Sequence, residues 1–144
     1  MVPADAQPLL IEGYASRFDE VDDGGDRLQR GAFLRSLMSK PVKDIKMLWQ
    51  HDPAKPIGRW LEVAEDATGL FVKGVLLPSL LQGQEACVLV RSGILDGLSI
   101  GFKTRRSKRS QRSGVREVQA VDLWEISLVT FPLLTSARLN TVPE

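Results

Sequence analysis

The chain has 144 residues, 43% hydrophobic and 26% charged, with a formal net charge of +1. That is enough for one domain with an unstapled core, and it gives no global pull toward nucleic acid or membrane. One cysteine, Cys87, excludes an internal disulfide, and a single histidine beside it cannot build a His/Cys zinc site. No apolar run approaches membrane-spanning length, and residues 1–5 lack a charged-then-apolar leader. The expected setting is the inside of a cell, or of something assembled there.

In chain order, residues 9–18 read as a first strand. Residues 19–26 form an acidic loop that fails as a calcium loop. With Gly24 as its sharp-turn glycine, the third ligand position is Val21 and the twelfth is Arg30. Residues 31–38 space their apolar side chains as a short helix, ended before Pro41. Residues 42–49 read as a strand that buries Met47, Leu48 and Trp49 and delivers Gln50-His51-Asp52-Pro53 at its end. Pro53 and Pro56 are expected to stop that strand from continuing.

Residues 58–65 and 69–77 read as a hairpin turned by Asp66-Ala67-Thr68-Gly69. Residues 79–92 read as a helix stopped at Gly93, with Ala86, Cys87, Val90 and Ile94 on one stripe. Cys87 is therefore core packing rather than a reactive thiol.

The stretch Gly97-Leu98-Ser99-Ile100-Gly101 follows. In an extended chain it puts one hydroxyl on a face whose neighbours have no side chains, which suits close approach by another group. Ser99 is a candidate nucleophile. The same letters spell the nucleophile elbow of α/β-hydrolases, but those enzymes place acid and histidine after the serine, and His51 comes before it. Residues 103–114 are basic, serine-rich and free of aromatics, and read as a flexible solvated loop or, alternatively, a surface for an acidic partner.

Residues 115–130 read as a strand with apolar residues on both faces from Leu123 to Val129, hence buried on both sides. Glu125 sits in its middle and needs a partner, because burying a lone carboxylate costs several kcal/mol. His51 is one such partner, and Arg17 or Arg59 are purely structural alternatives. Asp122, nearer the strand's start, is a second acid that water reaches more easily. A serine hydroxyl becomes nucleophilic when a neutral imidazole takes its proton and an acid fixes that imidazole's tautomer. Ser99, His51 and Glu125 supply those three parts, and the histidine has no competitor.

Six blocks carry a resemblance. They are Gly13-Tyr14-Ala15-Ser16, Gly31-Ala32-Phe33, residues 47–53, Pro56-Ile57-Gly58, residues 97–102 and residues 123–132. In that order, from about Ile11 to Arg138, the chain resembles the prohead maturation proteases of tailed bacteriophages, which are similar to the herpesvirus assemblins.

The resemblance implies a serine endopeptidase that cleaves capsid scaffolding segments during procapsid maturation, with His51 as base, Ser99 as nucleophile and Glu125 as orienting acid. It implies the major capsid protein and its scaffolding segment as partners, no cofactor or metal, and a place inside the immature procapsid in the bacterial host cytoplasm. Self-association as a dimer and self-cleavage fit it as well; a membrane or nucleic-acid role is not expected. The alternative is a non-enzymatic assembly module that uses residues 103–112 to hold an acidic partner. Oxyanion donors are sought among backbone amides near Thr130 or in the loop after it. The expected fold is one α+β domain over residues 1–144, a mainly antiparallel, barrel-like sheet flanked by two or three helices.

Overall fold

The computed structural model describes residues 6–143, so the expectation about a leader in residues 1–5 lies outside the described residues. The elements are β1 (Leu9–Arg17), β2 (Asp26–Leu28), α1 (Leu34–Ser39), β3 (Lys46–Trp49), β4 (Asp52–Glu65), β5 (Gly69–Leu76), α2 (Leu81–Arg91), β6 (Gly97–Arg109), β7 (Arg116–Val129) and β8 (Leu139–Thr141).

One sheet runs β2-β7-β3-β4-β5-β1-β8, with β6 paired to the remaining edge of β7. Pairing is antiparallel except where β2 and β3 meet β7. The expected mainly antiparallel, barrel-like sheet with few helices is what forms.

The sheet curls until its ends meet. β8 pairs with β1, while the Leu98 N–H donates to the Ala137 carbonyl at 2.9 Å and the Leu139 N–H to the Asp96 carbonyl at 2.8 Å. Residues 137–139 thus latch the start of β6 to the far side of the sheet. Inside lie Ile11, Phe33, Met47, Ile57, Leu70, Leu76, Leu98, Leu123, Ile126 and Leu128, all sealed from solvent. Each such side chain contributes about 1.5–3 kcal/mol on burial. The Trp60 indole N–H donates to the Ile126 carbonyl at 3.2 Å, so its polar handle is satisfied within the core.

Several expectations need correction. Pro53 and Pro56 lie within β4, which starts at Asp52. That part of β4 pairs only with β3, through two register shifts, and β5 joins only from Gly58. A missing proline N–H is harmless on such an edge. The strand expected over residues 42–49 opens instead with a 3-10 turn, Val42–Asp44, and extends only from Lys46.

The basic run is not a flexible loop. Residues 103–109 continue β6 and pair with β7 through two register shifts around Arg106, leaving only residues 110–115 for the connection. Cross-strand pairing decides this region, not apolar periodicity. Ala86, Cys87 and Val90 are buried as expected, but Ile94 is 69% exposed. It follows Gly93, whose φ of +73° ends the helical stripe before it. β7 is not buried on both faces throughout, because Trp124 is 59% exposed. In the ladder Gly101 faces Glu125 and Phe102 faces Leu123, so Trp124 is a bulged extra residue turned outward.

The acidic residues of the 19–26 loop take protein partners. Asp26 holds Arg116 at 2.7 Å, Asp19 meets Arg30 at 3.0 Å, and the Asp22 carboxylate accepts the Gly24 and Asp26 N–H groups. No helix among the described residues is long and apolar enough to cross a membrane.

Candidate active site

His51 occupies an unusual piece of backbone. β3 and β4 are joined by just two residues, Gln50 and His51, between the paired Trp49 and Asp52. Both have positive φ, +51° and +62°. A two-residue hairpin of the I′ kind needs that, and usually uses Asn-Gly. For ordinary L-residues the left-handed region costs about 1–2 kcal/mol each, so surrounding contacts must impose it.

Those contacts all come from the end of β7 or just past it. The Gln50 N–H donates to the Leu128 carbonyl at 2.9 Å. The Gln50 side chain brackets Thr130: Nε2 donates to Oγ1 at 2.7 Å, and Oε1 accepts the Thr130 N–H at 3.1 Å. The His51 N–H donates to Ser127 Oγ at 3.1 Å. Four hydrogen bonds fix the turn that carries the imidazole.

The imidazole faces Glu125. Nδ1 lies 2.9 and 3.0 Å from the two carboxylate oxygens. An ionised carboxylate can only accept, so the contact calls for a proton on Nδ1; in the neutral imidazole of that tautomer Nε2 is the lone-pair nitrogen. The Ser127 hydroxyl donates to the same carboxylate, at 2.9 Å to Oε2, while it accepts the His51 N–H. Ser127 is fully buried. It ties the acid and the backbone of the base to one atom.

The glycines flanking Ser99 have separate reasons. A Cβ on Gly101 would stand 2.7 Å from the Glu125 carboxyl carbon, so the carboxylate occupies the space a side chain would need. A Cβ on Gly97 would meet the Val129 carbonyl at 2.5 Å and the Pro132 ring at 2.8 Å. The strip without side chains seats an acid at one end and a close-packed loop at the other.

Ser99 sits between them. It pairs with Ser127 in the ladder, as Gly101 pairs with Glu125, and opposite residues of an antiparallel pair project to one face. Ser99, Ser127 and Glu125 therefore share a face with the imidazole above it. His51, Gly101, Phe102, Lys103, Trp124 and Glu125 line a shallow cleft. Ser99 lies one same-face step along β6 from Gly101, about 7 Å.

The structure brings His51 and Glu125 into direct contact, and it shows no hydrogen bond from Ser99 to His51. The Ser99 hydroxyl has no hydrogen-bond partner among the described residues, and the residue keeps 8% of its surface exposed. Nucleophile–base bonds are often open until substrate arrives.

Asp122 does not join the site: it pairs with Lys40 at 3.0 Å and Arg105 at 3.5 Å. The Lys40 hydrogen bond, aided by both positive charges, holds its carboxyl below the ordinary range. Glu125 pairs with neither Arg17 nor Arg59, and Arg17 stacks on the Tyr14 ring instead. Burial pushes the Cys87 thiol up, consistent with core packing. The Thr130 amide is taken by Gln50, so it is not free to serve as an oxyanion donor.

Sequence reasoning missed the roles of Gln50, Ser127 and Thr130. The signal for Ser127 was its place two residues after Glu125, on the same face of one strand.

The T4 capsid assembly protease, gp21, superposes with a TM-score of 0.69 at 13% identity, covering 85% of this chain and 83% of that one. The protease of the herpesvirus KSHV in complex with a hexapeptide phosphonate inhibitor gives 0.66 at 15% identity, over 96% of this chain and 66% of that one. At such identities these likenesses show the fold alone.

By sequence, the prohead protease of Enterobacteria phage HK97 is 32% identical over 130 residues, covering 89% of this chain and 57% of its own length. That of Escherichia phage T5 is 24% identical over 133 residues, covering 92% and 62%. The chain thus spans roughly three fifths of these relatives. The family model for the caudovirus prohead serine proteases matches residues 2–144, and the chain belongs to that family.

Proposed function

We propose that this chain is a serine endopeptidase of capsid maturation, which cuts the scaffolding segment of the major capsid protein inside the immature procapsid. The observation that supports it best is the His51–Glu125 pair. It is held by a strained, fully hydrogen-bonded turn, against the face of the β6–β7 ladder that carries Ser99.

In this reading Nε2 takes the Ser99 proton as Oγ attacks the scissile carbonyl carbon, and Glu125 stabilises the resulting imidazolium. The imidazolium then gives its proton to the departing amine, leaving an acyl-serine. Water, deprotonated by the same nitrogen, attacks that ester and frees the second product. Ser127 keeps the carboxylate from swinging away during both proton transfers. The hydroxyl must close the last gap to Nε2 when substrate seats in the cleft.

Co-expression with the cognate capsid protein tests this. Ser99→Ala should leave the scaffolding segment uncut, while the wild-type chain removes it. Normal processing by Ser99→Ala would overturn the assignment. The non-enzymatic alternative makes the opposite prediction: that substitution is harmless, and only charge removal in residues 103–112 matters.

A further inference from the structure

The far half of the β6–β7 hairpin is an arm of the sheet, flanked by β2 at residues 116–118, and its charge is set apart from the rest of the molecule. Residues 103–112 hold six of the chain's nineteen Lys and Arg and none of its eighteen Asp and Glu. The remainder therefore carries thirteen cations against eighteen acids, and the near-neutral total hides a strong separation.

Two of the six cations are engaged. Arg105 reaches Asp122 at 3.5 Å, and Arg109 donates to the Gly114 carbonyl at 2.7 Å. Lys103, Arg106, Lys108 and Arg112 have no acidic partner among the described residues, and all four are exposed. Glu117 pairs across the ladder with Lys108, but its carboxylate is held by Arg27 and Gln29.

The arm also offers main-chain groups. Beyond the Gly97 bridge to Arg138 and the Leu98 hydrogen bond to Ala137, β6 pairs with β7 alone among the described residues, so its outer edge is open from residue 99 to 109. A bare edge invites strand addition, and flanking cations decide which strand may join. Another copy of this edge is repelled by like charge. An acidic strand is attracted. Nucleic acid would use the charge but not the edge, and residues 103–112 hold no aromatic on which bases could stack.

We propose that the arm docks an acidic, extended polypeptide segment laid along the outer edge of β6, the strand that carries Ser99. That this segment belongs to the substrate rests on the function proposed above; the docking does not. Ser99 is four residues from Lys103 and ten from Arg109, about 13 to 33 Å at strand rise. A substrate with acidic residues about four to ten positions from its cut bond would engage both regions at once.

Fluorescence anisotropy with the full-length Ser99→Ala chain tests docking without cleavage. The probe is a short labelled peptide of alternating Glu and Thr. Binding should weaken steadily as salt rises and should be lost when alternate backbone nitrogens are methylated. Replacing Lys103, Arg106, Lys108 and Arg112 together by Ser should weaken it by about tenfold or more. Lys43→Ser with Lys55→Ser should leave it unchanged.

Equal binding by the fourfold variant, by the methylated peptide, or tighter binding of an oligo-dT of matched charge would each overturn the proposal. With the capsid protein as substrate, the fourfold variant should raise KM and spare kcat; an unchanged KM would sever the arm from the substrate. Cleavage by Ser99→Ala would instead overturn the proposed function and leave the binding result standing.

Discussion

The two hairpins that end on β7's neighbours are built on opposite plans. The β3–β4 hairpin turns in two residues, both forced to positive φ, with four hydrogen bonds to the end of β7 and the strand-to-loop junction beyond it. The β6–β7 hairpin turns over residues 110–115, has a glycine, Gly114, at its positive φ of +74°, and leaves four cations unpartnered. One turn accepts strain so that one imidazole has one position. The other avoids strain and keeps its charges available. Strain marks the place where geometry must be fixed, and unpaired charge marks the place where a partner is awaited.

The largest loss is expected at the imidazole. His51→Ala should reduce scaffold cleavage by about three orders of magnitude or more, read by band conversion over time, since catalytic residues acting as a unit fail together. Glu125→Gln should cost less, because the base remains and only its orientation and charge support are weakened.

Next comes Gly101→Ala. Its methyl enters the space of the Glu125 carboxyl carbon, 2.7 Å away, so either the acid leaves His51 or β6 shifts. We expect a fall of about a hundredfold in kcat and a stability loss of about 1–3 kcal/mol in a urea melt. A fully active variant would show that the acid's position is unimportant.

Ser127→Ala removes the shared hydroxyl and leaves the His51 N–H without its acceptor. It should cost about 1–3 kcal/mol in stability and about tenfold in kcat. Ser127→Thr, which keeps the oxygen, should recover much of the rate.

The smallest effect lies at the base of the arm. Because Lys40 and Arg105 depress the Asp122 carboxyl in the folded chain, its stabilisation is complete above the unfolded value, near pH 4, and is lost as pH falls through the folded value. Asp122→Asn should flatten the acid side of the Tm-versus-pH curve and leave cleavage near neutral pH unchanged.

Much of the fold is legible in the chain. The turn signal Asp66-Ala67-Thr68-Gly69 marks the β4–β5 hairpin, and Gly93 marks the end of α2, because local backbone preference and burial agree there. That the mid-strand Glu125 needs a partner is legible too, but the choice of His51 over Arg17 or Arg59 is made by the fold. Other features were set by distant contacts. Gln50-His51 carries no Asn-Gly signature, so its turn is visible only once residues 127–130 are seen to impose it. Residues 103–109 lack an apolar face, and it is β7 that makes them a strand. Trp124 reads as core by hydropathy until a one-residue bulge turns it outward.

The latch at residues 137–139 has a consequence in time. The proposed nucleophile, base and acid arise at residues 51, 99 and 125, yet Leu98 is anchored by Ala137, and Asp96 by Leu139 and by the guanidinium of Arg138 at 2.8 Å. A nascent polypeptide that has emerged only as far as residue 130 has the frame that seats the histidine, but the strand carrying the serine still lacks its anchor. Assembly of the proposed triad therefore waits on the emergence of residues 137–139, and not merely on that of its last member, Glu125.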